Sequence, residues 1–85
     1  MKLHHVGIVV PSIQESLGEI QKYLTFEEIT VPSLIGSQKV NVCFLKTGNA
    51  YIEFIEPASD DSPVSEFVKT GGGYHHICFE VNDIH

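Results

Sequence analysis

The strongest constraint on the fold is a short internal repeat. The segment HHVGIVVPSI at residues 4–13 aligns without gaps to HHICFEVNDI at residues 75–84, which lie 71 positions later. Each copy contains two histidines, an apolar run ending in valine, and a helix-capping residue followed by isoleucine. The chain has five histidines, and four of them form the two matched pairs. The repeat therefore predicts two equivalent structural units, the second beginning near residue 74.

Between the two copies, the hydrophobic pattern predicts one β-α-β-β-β module. Ser12 and Glu15 form a capping box, and the helix that follows has an apolar face of Ile13, Leu17, Ile20 and Leu24. Strands are predicted at residues 2–10, 26–31, 39–46, 50–56 and 74–81, with a short helix at 64–69. The turn signal at residues 47–49 predicts a hairpin, and residues 82–83 are typical of the cap of another helix.

The predicted fold class is α+β, with residues 1–70 forming the first βαβββ module and its connecting helix. Residues 71–85 are predicted to be a linker and the first strand of a truncated second module. A chain of 85 residues is one small domain. One module with an orphan strand leaves an open sheet edge. We therefore expect a missing C-terminal half or a second copy of the chain, and an isolated monomer that is catalytically inactive.

Composition excludes several kinds of partner. The formal net charge is −6 and the chain has no arginine, so neither nucleic acid nor an anionic membrane is an expected partner. No apolar run is long enough to span a membrane, and the N-terminus is a poor signal peptide. These features predict a cytoplasmic location. Cys43 and Cys78 lack a paired spacing and are predicted to be free thiols.

Three side chains are candidate metal ligands. Strand alternation places His5 on one face of the first strand and His76 on one face of the repeat strand. A histidine in a strand is usually a core or edge residue, but the matched repeat favours ligation. Glu53 lies between an aromatic and an aliphatic residue on one face of its strand, where an unpaired charge is costly; the pattern alone leaves its role open. Alternation places His4 and His75 on the opposite faces, as structural or outer partners.

Two other carboxylates are weaker candidates for this chemistry. Glu56 precedes a proline at a strand end and is predicted to be solvated. Glu80, in the repeat strand, has a weaker claim than Glu53. Two imidazoles and one carboxylate on rigid strands suit a divalent first-row metal ion.

The segments HHVGIVVPSI, GNAYIEFIEP and DDSPVSEFVKTGGGYHHICFEV resemble the methylmalonyl-CoA epimerase family of the vicinal-oxygen-chelate superfamily. That superfamily also contains glyoxalase I, bleomycin-resistance proteins and extradiol dioxygenases. The resemblance spans essentially the whole chain and is most specific from residue 49 to residue 81. It implies paired βαβββ modules around a metal cleft, with a divalent cobalt, zinc, nickel or manganese ion held by His5, Glu53 and His76. A fourth ligand, a glutamate of the second module, would lie beyond His85.

The resemblance also implies an isomerase that acts on an acyl-CoA or a related thioester. The metal would stabilise an enolate formed when the proton next to the carbonyl is removed, and carboxylates would carry the proton between faces. Glu53 is a candidate catalytic base as well as a ligand, and ligation is the favoured role. Two alternatives remain open: a lactoylglutathione lyase, and a non-catalytic bleomycin-resistance-like binding module. The three donor side chains argue against the binding module, which does not need metal ligands.

Overall fold

The secondary structure follows the predicted order, with one additional strand. The computed structural model describes residues 2–80, with side chains as far as His76. The elements are β1 (Lys2–Val9), α1 (Ile13–Ile20), β2 (Glu28–Ile29), β3 (Ser33–Ile35), a 3-10 turn (Gly36–Gln38), β4 (Val40–Thr47), β5 (Ala50–Pro57), α2 (Ser65–Lys69) and β6 (Gly73–Glu80). The predicted α+β class is confirmed.

The strands form one mixed sheet in which β1 is the pivotal strand. The order is β2-β4-β5-β1-β6, and β3 pairs with β4 beside β2. β4 and β5 form the predicted antiparallel hairpin. β1 runs parallel to β5 and antiparallel to β6. The repeat strand therefore lies directly beside its counterpart, which brings the two histidine pairs to one place.

The pairing of β1 with β6 has a local twofold symmetry. The Cα pair Val6–Ile77 lies at its centre, and each pair on one side of it has an equivalent on the other side. The register shifts once on each side, so that His4 in β1 and His75 in β6 have no opposite partner. Both are β-bulges, and a bulge redirects the side chains around it.

Each face of the sheet packs its own apolar cluster. One face carries α1, with a core of Val10, Ile13, Cys43, Leu45 and Phe54. The opposite face carries α2, with a core of Val9, Val40, Val42, Ile55 and Val64. The second face is called the site face below, because the candidate ligands lie on it. Neither helix in the described part of the chain is long and apolar enough to cross a membrane.

Glycines turn the chain from α2 into β6. Gly71, Gly72 and Gly73 all have positive φ, at 114°, 68° and 101°, which side chains disfavour. A Cβ on Gly72 would also lie 2.6 Å from the carbonyl oxygen of Val9. The segment predicted to be a linker thus has a defined backbone that delivers β6 to β1. The division of the chain at residue 70 stays a prediction.

Three boundaries differ from the sequence prediction. Helix α1 ends at Ile20, one turn early, and Leu24 is 53% exposed. The amides of Lys22 and Tyr23 bond to carbonyls three residues back, which tightens the chain into a turn. β2 has only two residues, and β3 was not predicted, since its residues follow a proline and show no clear alternation. The predicted cap at residues 82–83 lies outside the described residues.

The prediction that Glu56 is solvated is wrong. One of its carboxylate oxygens accepts a hydrogen bond from the backbone N–H of Ile13 at 2.8 Å, and the other accepts from the Asn41 side chain at 3.1 Å. Ile13 is the first residue of α1, where the backbone amides lack partners within the helix. Glu56 therefore caps the helix from the neighbouring strand and is a structural residue.

Replacing Glu56 by alanine is expected to lower the free energy of unfolding by about 1–2 kcal/mol, because the first amide of α1 loses its acceptor. Urea denaturation followed by circular dichroism measures the change. Gln14→Ala, an exposed substitution on the same helix, is the matched control and should stay within about 0.5 kcal/mol of the wild type. Equal stability of the two variants would refute the capping role.

Cys43 is a free, buried thiol, as predicted. It is fully buried under α1, and its Sγ donates to the carbonyl oxygen of Thr30 at 3.1 Å. Burial raises the pKa of the Cys43 thiol, against a smaller opposing effect of that hydrogen bond. The thiol is therefore protonated and unreactive at neutral pH. The side chain of Cys78 lies outside the described residues, and its free state stays a prediction.

In a Cys78→Ser variant, Cys43 is expected to react with a thiol reagent at neutral pH only as fast as the fold opens. In denaturant, the same thiol should react at the rate of a model peptide. The measurement is the rate at which the thiol reagent releases its coloured leaving group, in native buffer and in denaturant. Rapid reaction in the native protein would mean that the thiol is accessible or ionised.

Candidate metal centre

The candidate ligands meet above a glycine. Gly7 is the Cα partner of Glu53 in β5 and of His76 in β6. The three residues therefore form one row across three strands, with the two long side chains separated by two strand spacings of ~4.8 Å each. Gly7 has no side chain, so Glu53 and His76 can lean inward over it. His5 lies two residues earlier on β1 and completes the group.

The three donor atoms form a compact triangle. His5 Nε2 lies 2.9 Å from His76 Nε2, and Glu53 Oε1 lies 3.4 Å from the first nitrogen and 3.2 Å from the second. Two ligands ~2.1 Å from one metal ion are about 3.0–3.4 Å apart when they subtend a right or tetrahedral angle. The triangle therefore has the dimensions of three adjacent positions around one divalent ion.

Glu53 carries a buried polar atom that nothing in the described residues satisfies. Its Oε1 is inaccessible and has no hydrogen-bond partner. The two imidazole nitrogens approach within ion-pair distance, but neither is aligned to donate a hydrogen bond to it. The side chain of Glu53 is only 13% exposed. A buried carboxylate oxygen without a donor is costly, and a cation at the centre of the triangle would satisfy it.

His5 is held in the form that a metal ion requires. Burial lowers the pKa of His5, and the neighbouring His76 and His4 lower it further, while Glu53 opposes them. The ring is therefore neutral at physiological pH, with a lone pair free for coordination. Two imidazole donors and one carboxylate suit cobalt, zinc, nickel or manganese. The residues present fit a divalent metal ion.

An apolar pocket opens beside the triangle on the site face. Its volume is about 240 Å³, and Glu53 and His76 form one wall. The other lining residues are mainly aliphatic and comprise Val40, Val42, Ile55, Pro63 and Val64, together with Gln38 and His75. A small group bound here would contact Glu53 and His76 of the triangle directly.

Aromatic rings support the other side of the triangle. The ring of Phe44 packs edge-on against His5, with centroids 5.7 Å apart, and against Tyr51 at 5.9 Å. The ring of His4 lies 5.7 Å from Tyr51 and 5.0 Å from His5. These contacts hold the His5 ring in one orientation. Strict alternation, which placed His4 on the opposite face, is wrong here because the bulge at His4 interrupts it.

The structure brings together the three side chains selected as ligands. His5, Glu53 and His76 form a group of potential metal ligands within the described residues. Sequence reasoning missed the role of Gly7, although an isolated glycine inside an apolar strand is a signal of close approach. The side chain of Glu80, the weaker candidate, lies outside the described residues.

The fold and the donor group define a βαβββ module with a candidate site formed by β5, β1 and the repeat strand β6. Residues 4–85 match the model of the Glyoxalase/Bleomycin resistance protein/Dioxygenase superfamily. The chain therefore belongs to that superfamily, and the expected fold is confirmed.

Similarities to individual proteins are more specific than the superfamily match. The mitochondrial methylmalonyl-CoA epimerase of Dictyostelium discoideum is 38% identical over 86 residues, covering 99% of this chain and 51% of that protein. A hypothetical protein of Bacillus halodurans C-125 has a solved structure with a TM-score of 0.81 and 38% identity, over 89% of this chain and 55% of that one. A methylmalonyl-CoA epimerase solved with methylmalonyl-CoA and ammonium has a TM-score of 0.83 and 27% identity, over 98% of this chain and 62% of that one. The chain thus spans about half the length of the Dictyostelium relative.

Gly7→Ala is expected to displace the His76 ring, because the new Cβ would lie 2.8 Å from its Nε2 and closer to other ring atoms. Cobalt(II) affinity, measured by titration of the visible absorption, should fall by at least about tenfold, or 1.4 kcal/mol. The matched control is Gly18→Ala, where a Cβ meets nothing within 4 Å and should stabilise α1 by ~0.5–1 kcal/mol. Unchanged cobalt binding by Gly7→Ala would contradict the row geometry.

Proposed function

We propose that this chain carries a divalent metal site and one wall of the active site of an acyl-CoA epimerase, acting on methylmalonyl-CoA or a closely related thioester. The observation that carries the proposal is the His5–Glu53–His76 triangle, with its unsatisfied carboxylate oxygen. The similarity to methylmalonyl-CoA epimerases over nearly the whole chain supports the substrate class.

His5, Glu53 and His76 would hold the metal ion. Once bound, the ion supplies Lewis-acid stabilisation of negative charge that develops on a carbonyl oxygen of the substrate. The chain itself contributes the rigid geometry: three strands fix the donor atoms, and the ring of Phe44, which packs against Tyr51, supports His5 from the side. Such preorganisation avoids reorganisation during the reaction.

The apolar pocket is the proposed position of the acyl group. Its aliphatic wall accommodates a methyl-bearing carbon and excludes water from a carbanion-like centre. Gln38 also lines the pocket, and its side-chain amide is the proposed hydrogen-bond partner of a polar end of the acyl group. The reacting carbon would then lie next to Glu53, which is the only carboxylate among the residues that line this pocket.

Glu53 is proposed to act first as a ligand. Its buried oxygen faces the two imidazoles, and that position leaves it less free to move a proton than an unligated carboxylate. Epimerisation breaks one C–H bond and re-forms it on the opposite face, so it needs acid–base groups on both sides of the carbon. The described part of the chain places one carboxylate at this site. A second module, or a second copy of the chain, is therefore proposed to complete it.

The proposal is tested by deuterium incorporation at the α-carbon of methylmalonyl-CoA, followed by NMR in heavy water with the cobalt-loaded full-length protein. Changes to the outer partners of a metal site typically lower metal affinity ~10–100-fold. Glu53→Ala removes a proposed ligand, so its cobalt affinity is expected to fall by more than this, and deuterium exchange at the α-carbon is expected to be lost as well. Glu53→Gln should retain weaker cobalt binding, since an amide oxygen can still coordinate. Glu15→Ala, an exposed carboxylate on α1, is the control and should match the wild type.

Competing substrates distinguish the alternatives. Preferential turnover of the methylglyoxal–glutathione hemithioacetal would identify a lactoylglutathione lyase instead. Tight binding of bleomycin, with no turnover of either substrate, would identify a binding module. Failure of the wild type to bind cobalt would remove the metal site itself. The cytoplasmic location stays a prediction.

A further inference from the structure

Each proposed histidine ligand contacts a second histidine through its Nδ1 atom. The Nδ1 atom of His5 lies 2.7 Å from Nδ1 of His4, and Nδ1 of His76 lies 2.9 Å from Nδ1 of His75. The Nε2 atoms of His5 and His76 face each other at 2.9 Å. Four imidazoles therefore form one continuous chain of nitrogen contacts, with the candidate metal position at its middle.

The two β-bulges make these contacts possible. In a regular strand, consecutive side chains point to opposite faces, and neighbouring rings could not meet through the same nitrogen. The bulges at His4 and His75 turn the ring of His4 toward His5 and the ring of His75 toward His76. Because the two bulges are equivalent under the local twofold, the same histidine–histidine contact occurs on both sides of the site.

The contacts restrict where the ring protons lie. A neutral imidazole has one N–H and one lone pair. At the Nε2–Nε2 contact only one ring can donate, so the accepting ring carries its proton on Nδ1, where the bulge histidine is its neighbour. Coordination of a metal ion requires both Nε2 lone pairs, and then both protons lie on Nδ1. His4 and His75 must in that case accept, each with its own proton on Nε2.

We propose that His4 and His75 are positioning residues, which accept hydrogen bonds from the Nδ1–H groups of His5 and His76 and so aim both Nε2 lone pairs at Glu53. The inference rests on the proposed metal site and deepens it. A hydrogen bond to the second nitrogen fixes the tautomer and orientation of a ligating imidazole and raises its basicity. His75 also lines the acyl pocket, and the role proposed here concerns only its Nδ1 contact with His76.

The first experiment detects the hydrogen bonds directly, both without metal and with zinc bound. In protein labelled with ¹⁵N-histidine, a hydrogen bond between two ring nitrogens gives a measurable ¹⁵N–¹⁵N coupling across it. A coupling between the Nδ1 atoms of His4 and His5, or of His75 and His76, is expected without metal, and both are expected with zinc bound. Absence of both couplings in each state would overturn the proposal.

The second experiment separates the acceptor from mere packing. His4→Asn keeps a short side chain with an acceptor near the Nδ1 position, whereas His4→Phe keeps the ring shape without an acceptor. Cobalt affinity should fall about 10–100-fold in His4→Phe and recover largely in His4→Asn; the same pair of substitutions at His75 should behave alike. The reverse order, with Phe close to the wild type, would show that packing alone matters and overturn the proposal.

Thermal unfolding of the metal-free variants shows whether a substitution has damaged the fold. A positioning role predicts that the Phe and Asn variants differ in cobalt affinity even where they lose the same stability. The cobalt absorption spectrum gives an independent readout, because a misaimed ligand alters the band positions as well as the affinity. Intact couplings in a wild type that binds no cobalt would support the histidine pairing while overturning the proposed metal function.

Discussion

The antiparallel pairing of β1 with β6 determines the geometry of the site. The two strands are the copies of one sequence repeat, and they pair around Val6 and Ile77. This register puts Gly7 opposite His76 and, through the parallel contact with β5, also opposite Glu53. A shift of one residue would send the His76 side chain to the opposite face of the sheet. The convergence of the donor atoms therefore depends on one register and on one missing side chain.

The donor cluster does not stabilise itself. Glu53 Oε1 is buried without a donor, and His5 loses solvation with only a carboxylate to compensate. Replacing such a buried polar group with well-packed apolar side chains often stabilises a protein. The apolar clusters on both faces of the sheet hold the donors together instead. Polar groups that oppose folding in this way are typical of functional sites.

Much of this arrangement could be predicted from the sequence, and particular residues show why. His5 and His76 could be selected because the repeat makes them equivalent. Alternation made Glu53 a candidate but left its role open, and the resemblance to the epimerase family supplied its assignment as a ligand. The roles of Gly7 and Glu56 could not be predicted, since both depend on contacts across strands whose register the local pattern does not define. The bulges at His4 and His75 were missed for the same reason: alternation describes a regular strand only. The early end of α1 and the short β3 depend on weak local preferences that the surrounding structure decides.

The local twofold also bears on what completes the site. In the first module β5 lies beside β1 and brings Glu53 to one side of the row above Gly7. The operation that exchanges β1 with β6 would place an equivalent of β5 along the other edge of β6, if later residues or a second copy of the chain supplied it. A carboxylate at the position equivalent to Glu53 would then reach the His5–His76 pair from the opposite side. Two carboxylates flanking two imidazoles would give a bound metal ion four protein ligands. One symmetric pairing of strands would thus account for the ligand set of the proposed metal ion.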